Sequence, residues 1–188
     1  MAGTLFYVIG PSGVGKDTIL NAAKKQLGTS PVVFAHRYIT RPAKAGGENH
    51  IELTREEFQK RLQADSFAMN WESHGCQYGI GVEIMHWMKQ GMSVVVNGSR
   101  AHLPEVQEQF PTVQPILITA PDDVLAKRLK ARGREDNAAI AKRIEHNATL
   151  PTKQIEEISQ NNLLILSNDS TIESAVETFC TFCTSQNI

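Results

Sequence analysis

Apolar positions in this chain come in short unbroken runs, separated by longer stretches with helical spacing. Leu5-Phe6-Tyr7-Val8-Ile9 is continuous, and so is Val94-Val95-Val96 after Ser93. Runs of this kind read as strands covered on both faces. Lys16–Leu27 instead carries Ile19, Leu20, Ala23 and Leu27 on one helical face, with Gly28 as its stop. Pro31-Val32-Val33-Phe34-Ala35 opens a second strand, which carries on toward Ile39. Thr40–His50 is polar and rich in glycine and charge. Thr54-Arg55-Glu56-Glu57 has the form of a capping box, ahead of a helix whose buried stripe is Phe58 and Leu62. Val82–Gln90 reads as a helix ended by Gly91. Pro104 suits the first turn of another. Pro115–Thr119 is a strand, Pro121–Arg132 a helix ending at Gly133, and Asp136–Thr149 a helix before Pro151. Leu163–Leu166 is the last strand, and Ser170-Thr171-Ile172-Glu173 is a second capping box that opens the C-terminal helix.

Strands alternating with helices predict one α/β domain over residues 1–188, with a parallel sheet and right-handed crossovers. The core is expected in 1–39 and 81–188. Two polar, glycine-punctuated segments, 40–80 and 132–142, fit that core poorly and suit flaps that close over a site.

Bulk properties narrow the function by exclusion. A net charge of −1 over 188 residues supplies no basic field for nucleic acid or a membrane surface. No apolar run is long enough to cross a bilayer, and the start of the chain lacks the pattern of a signal peptide. The cysteines, Cys76, Cys180 and Cys183, are few and odd in number. They fit a reducing cytoplasm better than a disulfide framework. The Cys180/Cys183 spacing is redox-like, but both lie on the apolar stripe of the last helix and read as small buried hydrophobes. His36, His50, His74, His86, His102 and His146 show no metal-ligand spacing. His50 and His74 are candidate pocket contacts, and the rest read as surface or packing residues.

The chemistry is announced directly after the first apolar run. Gly10-Pro11-Ser12-Gly13-Val14-Gly15-Lys16-Asp17-Thr18 is a strand, a glycine-rich turn and a helix start, which is the P-loop pattern. Its backbone N–H groups wrap phosphate oxygens, and its lysine neutralises β/γ charge. This predicts a bound nucleoside triphosphate held by residues 10–18. Asp17 stands where Ser or Thr usually binds Mg²⁺. The buried run Val94–Val96 ends in Asn97, where a second carboxylate is usual. Asp17 is therefore expected to supply a charged oxygen to Mg²⁺. The alternative is an acid that favours a helix N-terminus.

The order of these motifs resembles the guanylate kinase branch of the nucleoside monophosphate kinases over nearly the whole chain. The resemblance implies a P-loop three-layer α/β sandwich with an acceptor-binding flap and a lid. It implies a phosphate grip at Arg41, Lys44 and Glu48, within Thr40-Arg41-Pro42-Ala43-Lys44 and Gly47-Glu48. It implies an acceptor stretch over Phe67–Trp71 and Gln77-Tyr78-Gly79, lid arginines at Arg128, Arg132 and Arg143 assisted by Arg134, and an adenine contact at Asn168. Tyr78 is then either a donor to phosphate or a half-buried tyrosine. Trp71 and Trp87 read as core. Arg37, within a strand, faces either anion or solvent.

The departures fall where that family reads guanine with carboxylates. The matching positions here are Asn70 and Ser99, and Arg100 adds positive charge beside them. A pocket built on hydrogen bonds rejects a poorly matched ligand strongly. These changes, together with Gly15-Lys16-Asp17-Thr18, Gly47-Glu48-Asn49-His50 and Val96-Asn97-Gly98-Ser99-Arg100, resemble one sub-family: the ribose 1,5-bisphosphate phosphokinases of phosphonate breakdown. That resemblance implies transfer of the ATP γ-phosphoryl group, with Mg²⁺, to the 1-phosphate of ribose 1,5-bisphosphate. The product is 5-phosphoribosyl 1-diphosphate. Arg41, Lys44, Glu48, Asn70, Tyr78, Asn97, Ser99 and Arg100 would hold the acceptor, and Lys16, Arg128, Arg132 and Arg143 would serve the transfer. An already ionised phosphate acceptor needs no general base. The rival readings are a guanylate-kinase-like nucleoside monophosphate kinase and a non-catalytic module that grips a phosphopeptide.

Overall fold

The computed structural model describes residues 2–43, 50–131, 155, 163–169 and 171–185. Its central sheet is built on β1 (Leu5–Ile9), which pairs in parallel with β7 (Ser93–Asn97) on one side and β8 (Gln114–Thr119) on the other. β2 (Val32–Phe34) lies outside β7, and β9 (Leu164–Ser167) outside β8, both parallel. The order β2-β7-β1-β8-β9 therefore reverses its direction of growth at β1. Ligand crevices form outside the carboxyl ends of strands at such a point.

The sheet is covered on both faces, as its unbroken apolar runs demand. Alternate residues of β1 serve two cores. Phe6 and Val8 pack with α1 (Lys16–Gln26) and with the C-terminal helix α6 (Ile172–Ser185), through Ile19, Ala23, Val176 and Phe179. Leu5, Tyr7 and Ile9 pack on the opposite face. Their neighbours include Ile84 of α3 (Glu83–Lys89) and Val106 of α4 (Leu103–Gln109). Cys180 and Cys183 are buried thiols in the first of these cores, as their place on the apolar stripe predicted.

The second strand does not run on to Ile39. β2 ends at Phe34, and β3 (Arg37–Ile39) belongs to another sheet. After Phe34 the polar pair His36-Arg37 has no place between two covered faces, and the chain turns out of the central sheet. β3 pairs in parallel with β4 (Ile51–Glu52) and antiparallel with β6 (Cys76–Gly81), which pairs with β5 (Phe67–Ser73). Much of residues 40–80 is thus a sheet with its own buried side chains. Ala68, Met69 and Ile80 join the core beneath Tyr7, contrary to the expectation of a poor fit. α2 (Arg55–Gln63) covers the far face. Thr54 Oγ1 accepts the Glu57 N–H at 3.1 Å, as the capping box predicted. Phe58 is buried and stacked on Phe67, but Leu62 is only half-buried.

Helix ends shift slightly from expectation. α6 is capped by Thr171, whose Oγ1 accepts the Ser174 N–H at 3.4 Å, so the cap falls one residue later than the expected box. The fifth helix, α5 (Asp122–Ala131), runs as far as the described residues allow. The expected helix at 136–149 and the lid segment 132–142 lie outside them.

Candidate active site

The P-loop sits at the carboxyl end of β1, and α1 begins on its last glycine. Gly15 is the N-cap, with φ +94. That conformation disfavours any side chain, and a Cβ there would lie 2.7 Å from Asn168 Nδ2. The loop is held from behind. Asn168 is buried at the end of β9 and donates Nδ2–H to the Val14 carbonyl at 2.7 Å. Arg128 on α5 donates to the same carbonyl and to that of Asn168, both at 3.2 Å. Arg128 and Asn168 therefore both reach the P-loop backbone. Lys16 Nζ folds over the loop and donates to the carbonyls of Gly10 at 2.7 Å and Pro11 at 3.2 Å.

Asp17 and Asn97 meet across 80 residues of sequence. Asn97 Nδ2 donates to Asp17 Oδ1 at 3.0 Å. That bond fixes the amide orientation and leaves Asn97 Oδ1 buried, without a hydrogen-bond partner. A buried acceptor with no donor is costly. Here it stands beside a carboxylate at the mouth of a cleft that Asn21, Lys24 and His36 also line. Carboxylate and amide oxygens are the donor set that Mg²⁺ takes, so these two residues fit the metal. Thr18 is exposed on the first turn of α1. No group of three or more His, Cys, Asp or Glu side chains is placed for a metal among the described residues.

On the acceptor side, the second sheet presents a ladder of flat groups. The Arg37 guanidinium lies over the Tyr78 ring at 5.3 Å. Tyr78 stacks on Trp71 at 5.4 Å, with planes 3° apart, and Trp71 stacks on His102 at 5.5 Å. Tyr78 is buried, at 7% exposure, rather than half-buried. Trp71 packs against the core and also serves as a stacking surface, so the two roles coincide. Asn70 is exposed. As the neighbour of Trp71 on one strand it lies on the opposite face, away from the ladder. Ser99 is tied to the core: its N–H donates to the Tyr7 hydroxyl at 3.0 Å. Burial pushes the Tyr7 phenol up, well away from ionisation. Arg100 opens the short 3₁₀ turn 100–102 that carries His102, and partial burial lowers its pKa.

Arg41 is set by a histidine that the motif pattern offered only as a pocket contact. His50, 6% exposed, bonds the Arg41 carbonyl through Nε2 at 2.9 Å. Glu52 Oε2 accepts the Ala43 N–H at 2.8 Å. His74 lies exposed at the hairpin turn, not in the pocket. Lys44, Glu48, Arg132, Arg134 and Arg143 lie outside the described residues. The contacts missed by sequence reasoning are Asn97–Asp17, Arg37–Tyr78 and Asn168–Val14. Each joins positions dozens of residues apart, and no spacing rule announces them.

Known proteins match this arrangement. The sequence profile described as guanylate kinase covers residues 3–185. The ribose 1,5-bisphosphate phosphokinase PhnN of Desulfomicrobium baculatum is 55% identical over 141 residues, 74% of this chain and 75% of its own. That of Thiobacillus denitrificans is 46% identical over 176 residues, 93% of this chain and 90% of its own. Among solved structures, a guanylate kinase from Anaplasma phagocytophilum superposes with a TM-score of 0.76 at 18% identity, over all of this chain and 87% of that one. The last likeness is one of fold.

Proposed function

This chain belongs to the guanylate kinase family and, within it, to the ribose 1,5-bisphosphate phosphokinases, and on that premise we propose that it transfers the γ-phosphoryl group of ATP to the 1-phosphate of ribose 1,5-bisphosphate. The observation that carries this reading is the end of β7. The side chains there are Asn97, Ser99 and Arg100, amide, hydroxyl and cation, with no carboxylate to accept hydrogen bonds from a purine.

The transfer breaks the bond between the γ-phosphorus and the β,γ-bridging oxygen. It forms a bond from that phosphorus to an oxygen of the acceptor's 1-phosphate, and ADP leaves with the electron pair. The acceptor oxygen is already ionised near neutrality, so no side chain must take a proton. What the chain supplies is alignment and positive charge. Lys16 leaves the Gly10 and Pro11 carbonyls and pairs with the β- and γ-phosphates. Arg41, with Lys44, grips the reacting phosphate of the acceptor, and His50 holds the backbone that presents it. Glu48 and Tyr78 line that grip. Arg128 braces the P-loop through Val14 and lies near enough to add charge to the transfer, with Arg132 and Arg143 closing over it. Loss of such an arginine costs on the order of a thousandfold in rate. Asn168 holds the loop that the nucleotide binds. Asp17 and Asn97 are the residues that would hold Mg²⁺. The ion, when bound, neutralises charge developing on the phosphate oxygens.

We propose further that residues 40–80 act as an acceptor-binding flap and 132–142 as a lid on a single domain. The test supplies ATP and Mg²⁺ with ribose 1,5-bisphosphate and, in parallel, with GMP, following ADP and the phosphorylated product. Turnover of the sugar bisphosphate alone is expected. Turnover of GMP alone would overturn the proposal and restore a nucleotide kinase.

A further inference from the structure

The transfer described above makes no use of the Tyr7 phenol. Tyr7 lies fully buried in β1, between Phe6 and Val8, where phenylalanine would bury the same ring with no hydroxyl to satisfy. That hydroxyl serves one residue. It accepts the Ser99 N–H at 3.0 Å and donates to the Ser99 carbonyl at 3.4 Å. A phenol does both only while neutral, and burial keeps it so. The ring serves the residue before. A Cβ on Gly98 would lie 2.2 Å from Tyr7 Cζ, so the chain passes against the ring only because glycine stands there. Gly98 N–H still bonds the β1 backbone, at the Val8 carbonyl, 2.8 Å away. One residue later the Tyr7 hydroxyl takes the place of a strand partner. The Ser99 carbonyl also accepts the His102 N–H at 3.2 Å, which closes the 3₁₀ turn. Ser99 is thus fixed at its N–H and at its carbonyl. Its side chain is the opposite: half-buried, with no hydrogen-bond partner for Oγ among the described residues.

We propose that Tyr7 is a positioning residue for the acceptor, one that pins the Ser99 backbone so that the Ser99 hydroxyl meets an oxygen of the bound sugar phosphate. This rests on the acceptor proposed above and adds what sets one of its contacts. Hydrogen bonds weaken steeply when distance and angle slip, so a serine on a loose turn would bind the acceptor poorly. The effect belongs to the acceptor and not to the nucleotide. Tyr7 packs on the face of the sheet opposite α1, whereas the P-loop is braced from α5 and the end of β9.

The test measures kcat/KM for ribose 1,5-bisphosphate at saturating ATP, and KM for ATP, in Tyr7→Phe, Ser99→Ala and the double variant. Tyr7→Phe keeps the ring against Gly98 and removes only the hydroxyl. It is expected to lower kcat/KM for the acceptor about threefold to tenfold, the size of one hydrogen bond, with the KM for ATP unchanged. Ser99→Ala is expected to cost a similar factor. The double variant should be little worse than Ser99→Ala alone, because two residues that act through one contact do not add. Losses that multiply in the double variant would overturn the proposal, since Tyr7 would then act elsewhere. A Tyr7→Phe loss shared equally by acceptor and ATP would also overturn it, as the mark of a loosened core. Ser99→Ala removes a half-buried hydroxyl without a partner, so it keeps the fold whatever Tyr7→Phe does. Unchanged acceptor kinetics in that variant would overturn the proposal by themselves. Each of these failures leaves the proposed function standing. If the unaltered enzyme turns over only GMP, the proposed function fails and the positioning role falls with it.

Discussion

Asp17 and Asn97 show how one exchanged pair of residues can move a charge without losing it. A P-loop usually places a hydroxyl after its lysine and a carboxylate at the neighbouring strand end. This chain places the carboxylate on the helix and the amide on the strand, 3.0 Å apart. Asn97→Asp would set two carboxylates at hydrogen-bond distance, where like charges resist joint ionisation. The expected result is a loss of about tenfold or more in kcat and a changed Mg²⁺ requirement. The double variant Asp17→Thr/Asn97→Asp should recover part of that loss. A double variant no better than the single would mean that the two positions are not coupled. Asp17→Ala should raise the Mg²⁺ concentration for half-maximal rate, measured by metal titration at saturating ATP. Both residues were visible in the sequence as departures from a pattern. Their contact was not, because it joins the first turn of α1 to the end of β7, 80 residues further along the chain.

At the scale of elements, the central strands were legible because burial on both faces writes an unbroken apolar run. The hairpin β5–β6 was not. Its strands alternate toward the core on one face and α2 or solvent on the other, and its turn is only His74-Gly75. Both turn residues have positive φ, +49 and +72, as a two-residue hairpin loop requires. That dipeptide was the available signal. It also separates two kinds of glycine. Gly75→Ala meets no atom within 4 Å, so it should cost only the left-handed backbone, about 1–2 kcal/mol, read as a shifted denaturation midpoint with ATP binding retained. Gly15→Ala carries the same backbone cost and also displaces Asn168 from Val14. It should lower stability further and weaken ATP binding at least tenfold, since the loop that wraps phosphate loses its brace. Equal ATP affinity in the two variants would remove Asn168 from that role.

Across the whole molecule, the two sheets share the core beneath Tyr7 and also touch at His102. Its ring lies on Trp71 of the second sheet, while its backbone belongs to the turn that leaves β7 of the central one. Burial lowers the His102 pKa, and the nearby Glu105 carboxylate only partly opposes that. The unfolded chain, with an ordinary histidine near 6.5, therefore binds more protons than the folded one as pH falls below that value. Stability must rise with pH across this window. His102 contributes its full share above about pH 6.5 and loses it as pH falls through its own lowered pKa. The loss falls on the joint between the sheets, because a charged imidazole at that position must be hydrated or move off the Trp71 ring. Thermal unfolding at steps from pH 7.5 to 5.0 should show Tm declining below about pH 6.5. His102→Phe keeps a flat ring against Trp71 and removes the titration, so its decline should be shallower over the same range. Parallel curves for the two proteins would place the acid sensitivity elsewhere. A shallower one would show that a histidine outside the phosphate-binding machinery sets how firmly the acceptor side is joined to the nucleotide side.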